Sequence, residues 1–352
     1  MRQLVILKCR PNAQFHLGKI ALNENTSLNK TDNYIHSDTL FSAIICTLAK
    51  VYGETSLEVK TILEALDGIE PVIKMSSAFY CLEGKENSKV YFLPKPISCN
   101  LMSSQKNAKK IKKIQFISTD VWEQGITVAD WADEEKCVII DKKFVLLKEE
   151  FENLVNLDDF SEKKKITRIE KFKVYNKTIS PKVAVHKEDR ENSIYYHTNI
   201  EIANNDDVGV KTHWYFWLDM EGNITENTQN LFNQALNILV DDGIGGERSI
   251  GCGRLEGIDR IKLSYLPKTN GYGCISLCCP ASMDEFNEFK YYDLITRGGR
   301  RTFNNTLQRI KFIKEGAVLE NEVSGTTKNI GGHHLRYGKA FLLPLHSNFT
   351  DV

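Results

Sequence analysis

The sequence predicts an α+β protein, and three observations carry that prediction. Along the chain the apolar patterns run strand, helix, strand, helix, strand; each helix-like stretch has one apolar face; the strand-like stretches are short and bounded by turn residues. With one further strand from the middle of the chain, this order is the split βαβ pattern of a ferredoxin-like domain.

The first strand is read from Arg2 to Cys9. In "YIHSDTLFSAIICTLAKVYG" the spacing puts Phe41, Ile44, Ile45 and Leu48 on one helical face, with Ser37 as N-cap and Gly53 as the stop. The stretch from about Ile97 to Asn204 is charge-rich and interrupted, which predicts an insertion. "HWYFWLDM" (His213 to Met220) alternates like a half-buried strand. A second helix follows, with Leu231, Phe232, Ala235, Leu236 and Leu239 on one face, and then a last strand over Arg254 to Leu263. After Pro267 a smaller unit begins. "YGCISLCCP" reads as a strand, "SMDEFNEF" as a short helix, and "RIKFIKEGAVLE" and "GKAFLLPL" as further strands. The expected organisation is one ferredoxin-like domain over residues 1–262, with an inserted segment at 97–204, and a second over 263–352.

Composition narrows the function. The 352 residues carry 46 Lys plus Arg and 46 Asp plus Glu, so attraction to an anionic partner has to be local rather than global. Three basic patches offer it: Lys106, Lys109, Lys110, Lys112 and Lys113; Lys163, Lys164, Lys165, Arg168, Lys171, Lys173 and Lys177; and Arg297, Arg300 and Arg301. Each is either a solvated face or a nucleic-acid contact. Nine cysteines, an odd number with no CxxC spacing, read as buried free thiols in a reducing cytoplasm rather than a zinc site. No leader and no stretch of ~20 apolar residues is evident, so a soluble, cytoplasmic protein without membrane contact is expected, with no cofactor.

The densest motif is "GIGGERSIGCGRLEG", Gly243 to Gly257, with six glycines and two arginines in fifteen residues. A phosphate loop of the nucleotide-hydrolysing kind follows a strand and opens a helix. Here a helix enters and a strand leaves, and no Gly-Lys-Ser/Thr is present. The C-terminal end of a helix is the negative end of its dipole, so donors to an anion must come from elsewhere. The candidates are backbone N–H groups opened by Gly251 and Gly253, with Arg248, Ser249 and Arg254 supplying side-chain donors to RNA phosphate or 2′-hydroxyl. The alternative reading is a tight connection that needs positive φ. The second unit repeats the device in "RGGRR" (Arg297, Arg300, Arg301) and "GGHHLRYG" (Gly332, His333, Arg336).

His36, Ser37 and Asp38 have the side-chain types of a hydrolytic triad, but neighbouring helical positions diverge by ~100° and do not converge on one substrate. His36 is a candidate RNA contact, a structural residue, or the acid/base of a metal-independent ribonuclease. His333 and His334 point to opposite sides of an extended segment, which disfavours shared metal ligation. The expectation is no metal and no enzymatic activity.

Three stretches in this order, "YIHSDTLFSAI", "DDGIGGERSIGCGRLE" and "KFIKEGAVLE" followed by "HHLRYGKAFLLPL", resemble the subunit-four family of Csm effector complexes, RAMP proteins of type III-A CRISPR-Cas systems. The resemblance implies two ferredoxin-like (RRM-like) domains with a projecting β-hairpin thumb. It also implies a grip on the 5′ handle of the guide crRNA and docking to the large polymerase/cyclase-type subunit and to the backbone RAMP subunit. Val174 to Ile200 has the length and basic character of the thumb, although its wording departs from the family's, and Lys182, His186 and Arg190 are its candidate RNA contacts. A repeat-processing CRISPR endoribonuclease using His36 shares the same fold and stands as the alternative, and a purely protein-binding scaffold is a third reading.

Overall fold

A computed structural model describes residues 1–18, 30–68, 71–102, 108–155, 171–184, 193–263, 271–298, 300–302, 305–332 and 334–350. The chain is organised around a strand, Arg2–Lys8, whose interior residues are all buried. It lies between Gly257–Lys262 and Lys211–Met220, antiparallel to both. Lys211–Met220 pairs on its far side with Phe79–Glu83 and Ile73–Met75. Counting Phe79–Glu83 as the second strand, the spatial order is fourth, first, third, second, the split βαβ order anticipated from the sequence.

Two long helices fill the connections. Ser37–Tyr52 buries Leu40, Phe41, Ile44 and Leu48, and ends at Gly53, whose φ of 94° suits glycine. Glu226–Asp242 buries the predicted face of Leu231, Phe232, Ala235, Leu236 and Leu239, and Thr225 caps it by accepting from Thr228 N–H. The cap of the first helix differs from expectation. His36, not Ser37, is its N-cap, and no side chain caps it. The Ser37 hydroxyl is spent on a longer-range contact, accepting from Leu277 N–H of the C-terminal unit at 3.1 Å.

The segment read as an insertion adds strands and buried aromatics to the main sheet. The main sheet continues through Lys89–Pro94, Phe116–Ser118, Phe144–Leu147 and Cys137–Ile140. Phe116 and Phe144 stack at 4.9 Å beneath it, and Trp122 and Trp131 are buried. Charged residues dominate the stretch by number, but a few large aromatics spaced among them supply enough apolar area to hold it in the fold. Trp122 also reaches the C-terminal unit, donating from its indole N–H to Pro344 O at 2.8 Å. Gly273 makes room for it: a Cβ there would lie 2.3 Å from the indole ring.

Tyr175–Ala184 and Ser193–Ile202 form a ten-pair hairpin whose second strand is anchored on Gln14–Phe15. In the C-terminal unit, Tyr272–Cys274 lies between Ala317–Leu319 and Leu342–Pro344, and Phe289–Tyr291 pairs on the far side of Ala317–Leu319. Counted along the chain, this sheet also runs second, third, first, fourth. Its first connection holds the short helix Met283–Asn287; its last holds the hairpin Lys328–Asn329/Leu335–Arg336. Ile275, Val318, Tyr337, Phe341 and Leu345 pack into the same core as the main sheet, and Tyr337 stacks on Phe41 at 5.1 Å. Eight of the nine cysteines are buried free thiols, and Cys46 is exposed. No helix among the described residues is long and apolar enough to cross a membrane.

Candidate nucleic-acid interface

The structure sorts the predicted site residues into two groups with different environments. The first surrounds the glycine loop. Gly243, Gly245, Gly251 and Gly253 all have positive φ. A Cβ on Gly253 would lie 2.2 Å from Ile244 O, and one on Gly245 would lie 2.6 Å from His16 O. Close approach of backbone to backbone therefore accounts for more of the glycines than a turn alone requires. The expected cradle of outward N–H groups is largely spent inside the protein. Gly253 N–H donates to Gln14 O at 2.7 Å, Gly246 N–H to His16 O at 2.9 Å, Ile244 N–H to Gly253 O at 3.0 Å and Gly251 N–H to Arg248 O at 3.0 Å. The loop is thus a clasp that fastens the end of the second long helix to the strand after Asn12.

What the clasp presents outward is side chains. Ser249, Gly251 and Arg254 are exposed, and Arg254 has no partner among the described residues. Arg248 is one-third exposed and donates to Asp242 Oδ2 at 2.6 Å, a carboxylate that also receives Lys50 at 2.6 Å. Burial opposes ionisation of Asp242, but Lys50 and Arg248 outweigh it and hold its carboxyl below the usual range. The outer half of the hairpin completes this surface. Lys182 is paired with Tyr195 and Ser180 with His197, so Lys182 and His197 share a hairpin face. His197 stacks on His16 at 4.8 Å, and a Cβ on Gly246 would sit 3.0 Å from the His16 ring. The half-buried Lys182 therefore lies beside the clasp. His186 and Arg190 fall outside the described residues.

The second group is buried and overturns the expectation of direct contact for His36 and Arg297. His36 is 2% exposed, with Nδ1 2.8 Å from Glu315 Oε1 and Nε2 at an ion-pair distance of 3.3 Å from Asp32. Arg297, 6% exposed, holds Asp38 in a two-pronged contact at 3.0 Å on each side and reaches Asp32 at 3.1 Å. Arg336 adds a third cation, 3.3 Å from Asp38, and donates to Gly298 O at 2.6 Å. Tyr34 donates to Glu315 Oε2 at 2.9 Å, and the Ser77 hydroxyl donates to Oε1. Burial disfavours the imidazolium of His36, yet the Glu315 and Asp32 carboxylates raise its pKa to about 9. A histidine enclosed by carboxylates has no face left for a substrate, so it is not placed as a general acid/base. Glycine near arginine in "RGGRR" suggested a cradle, but the first arginine turns inward because two carboxylates wait there. Arg300 and Arg301 lie on a short hairpin, Arg300–Thr302 against Asn305–Thr306, and their side chains fall outside the described residues, as does His333. Gly332 is exposed in a turn whose carbonyl accepts from Asn329.

Sequence reasoning missed Asp32 and Glu315. Asp32 stands four residues before His36, a spacing that could have signalled a pair; Glu315 sits in the quoted "KFIKEGAVLE" and has no local sign of its partner.

Residues 19–256 match the model of the RAMP superfamily. The chain belongs to the RAMP superfamily. The C-terminal part of this RAMP protein, residues 267–345, matches the model described as the CRISPR Csm4 C-terminal domain. Two relatives, both named CRISPR system Cms protein Csm4, bear out the Csm resemblance. That of Methanocaldococcus jannaschii is 26% identical, covering 93% of this chain and 88% of its own; that of Thermococcus onnurineus is 24% identical, covering 88% and 90%. A solved structure titled as a Csm3-Csm4 subcomplex in the type III-A CRISPR-Cas interference complex shares the fold of this RAMP protein, with a TM-score of 0.67 at 22% identity, over 98% of this chain and 99% of the other.

Proposed function

We propose that the chain is a non-catalytic, RNA-binding RAMP subunit of a type III-A CRISPR interference complex, built from two ferredoxin-like domains. It grips the 5′ handle of the guide crRNA and docks both the large polymerase/cyclase-type subunit and the backbone RAMP subunit. The carrying observation is the exposed face formed by Ser249, Gly251 and Arg254 beside Lys182, where the glycine clasp meets the outer half of the hairpin. A fixed loop with outward cation and hydroxyl donors suits RNA backbone, which is read by phosphate and 2′-hydroxyl contacts. The names of its relatives and the fold it shares with a Csm3-Csm4 subcomplex support the assembly. The burial of His36 between Glu315 and Asp32 supports the non-catalytic reading over an endoribonuclease that would use this histidine.

Co-purification of the tagged protein from its host tests this. Guide RNA and the two protein partners should co-elute, and Arg254→Ala combined with Lys182→Ala should lower the RNA content while the protein partners remain. A preparation that carries neither RNA nor Csm proteins would overturn the proposal.

A further inference from the structure

Outside the clasp, a cleft of about 500 Å³ opens where the main sheet, the hairpin base and the C-terminal unit meet. Its volume falls within the ~300–1,000 Å³ of small-molecule sites. Five lysines line it, Lys95, Lys112, Lys143, Lys177 and Lys314, against three carboxylates, Asp32, Asp293 and Glu315. Two of those carboxylates are already neutralised, because Asp32 and Glu315 belong to the buried network with His36 and Arg297. The lysines keep their field. Lys112, Lys177 and Lys314 have no anionic partner among the described residues. Lys143 stands 3.9 Å over the Tyr175 ring, and its Asp141 partner is 3.7 Å away and shared with Lys173.

Lys95 points most directly to a ligand. Its side chain is buried, yet its ammonium meets only neutral acceptors, Asn100 Oδ1 at 2.7 Å and Ile111 O at 2.9 Å. An ammonium has three donors and a full charge, and burying it without a counter-anion costs free energy that the observed contacts do not offset. An anion in the cleft would.

We propose that this cleft is a subsite for one phosphate-bearing nucleotide, its phosphate met by the lysines and its base or ribose by Asn33 Oδ1 and Gln115 Nε2, the amide atoms not used in the hydrogen bonds that Asn33 Nδ2 donates to Gln115 Oε1 and the Tyr175 hydroxyl. The inference deepens the RNA-binding reading and rests on it for the polymer form, since a nucleotide can arrive free or as one unstacked residue of a bound strand.

Calorimetric titration of the full chain with AMP and with a single-stranded RNA octamer tests it. Lys177→Glu/Lys314→Glu changes two lysines that lack anionic partners, Lys95→Gln removes charge while keeping a donor, and Lys60→Glu/Lys262→Glu is a control of equal charge change elsewhere. Thermal melting shows that each variant is folded. Both cleft variants should lose at least ten-fold in affinity and the control less than three-fold. AMP binding that is lost in the variants supports a free nucleotide; RNA binding that is lost in them without any AMP binding supports a residue within a strand. RNA bound equally by wild type and cleft variants, with AMP absent or unaffected, overturns the subsite and leaves RNA binding standing. AMP binding lost in the variants with no RNA binding keeps the subsite and removes the RNA reading. Binding of neither ligand overturns both.

Discussion

His36 shows how a residue's neighbours decide its role. In isolation an imidazole titrates near ~6.5; between Glu315 and Asp32 it titrates at about 9. The protonated form is favoured by folding, so its contribution is complete below the unfolded value and is lost as pH rises through about 9. That shift corresponds to ~3 kcal/mol as an upper figure. Urea denaturation at pH 6 and pH 9 should show wild type losing stability over this interval, and His36→Gln, less stable at pH 6, should show a flatter dependence. An equally steep loss in the variant would remove His36 as its source. The two loop arginines should also part company. Arg254 has no partner among the described residues, so Arg254→Ala should leave stability unchanged and reduce the salt slope of RNA binding by ~0.7. Arg248 is shared with Asp242, so Arg248→Ala should cost up to ~1 kcal/mol of stability, the scale of a partly exposed ion pair. Anisotropy titrations at several salt concentrations and urea melts of both variants check the pair.

The glycine clasp makes its own prediction at the scale of an element. Gly251 and Gly253 have φ of 95° and 81°, so alanine is strained at both. They differ in space: nothing lies within 4 Å of a Cβ at Gly251, whereas at Gly253 it meets Ile244 O at 2.2 Å. Gly251→Ala should therefore cost ~1 kcal/mol, and Gly253→Ala at least twice that because backbone must shift. Chemical denaturation decides the order, and a reversed order would show that the clasp relaxes where the structure has it closed.

Across the whole molecule, the buried ions bind the two units into one. Asp32 and Asp38 come from the start of the first helix and its approach, and Arg297, Glu315 and Arg336 from the C-terminal unit. Removing one member leaves charges buried without a partner, so Arg297→Met should cost ~3–5 kcal/mol. The units also share an apolar core, so the whole should unfold as one. All four tryptophans lie between Trp122 and Trp217, so their fluorescence reports the first unit and, through Trp122, its contact with the C-terminal unit, while far-UV circular dichroism reports both units. The two urea transitions should coincide in wild type; separate midpoints would show that the interface is weaker than its burial implies.

Local patterns determined what local physics controls. Apolar period set both long helices and glycine set the helix stops, because each depends on residues within a few positions of one another; the strand through "HWYFWLDM" was expected to be half-buried, but it lies between two other strands and is buried on both faces. The strand order of the first sheet followed from that sequence of elements. Tertiary structure alone decided which charged residues face outward. "RGGRR" and "GIGGERSIGCGR" look alike as strings, yet Arg297 is buried on Asp38 while Arg254 is exposed, since the carboxylates that capture Arg297 are more than 250 residues away in the chain. Ser37 was drawn from its expected cap by Leu277, and the charge-rich middle was drawn into the core by Phe116, Trp122, Trp131 and Phe144. The partners of those aromatics, Tyr80 against Phe116 and Phe144 and Pro344 against Trp122, are, like Leu277 and Asp38, distant in sequence and near in space, and burial raises the worth of a polar or aromatic contact beyond anything a local window can weigh.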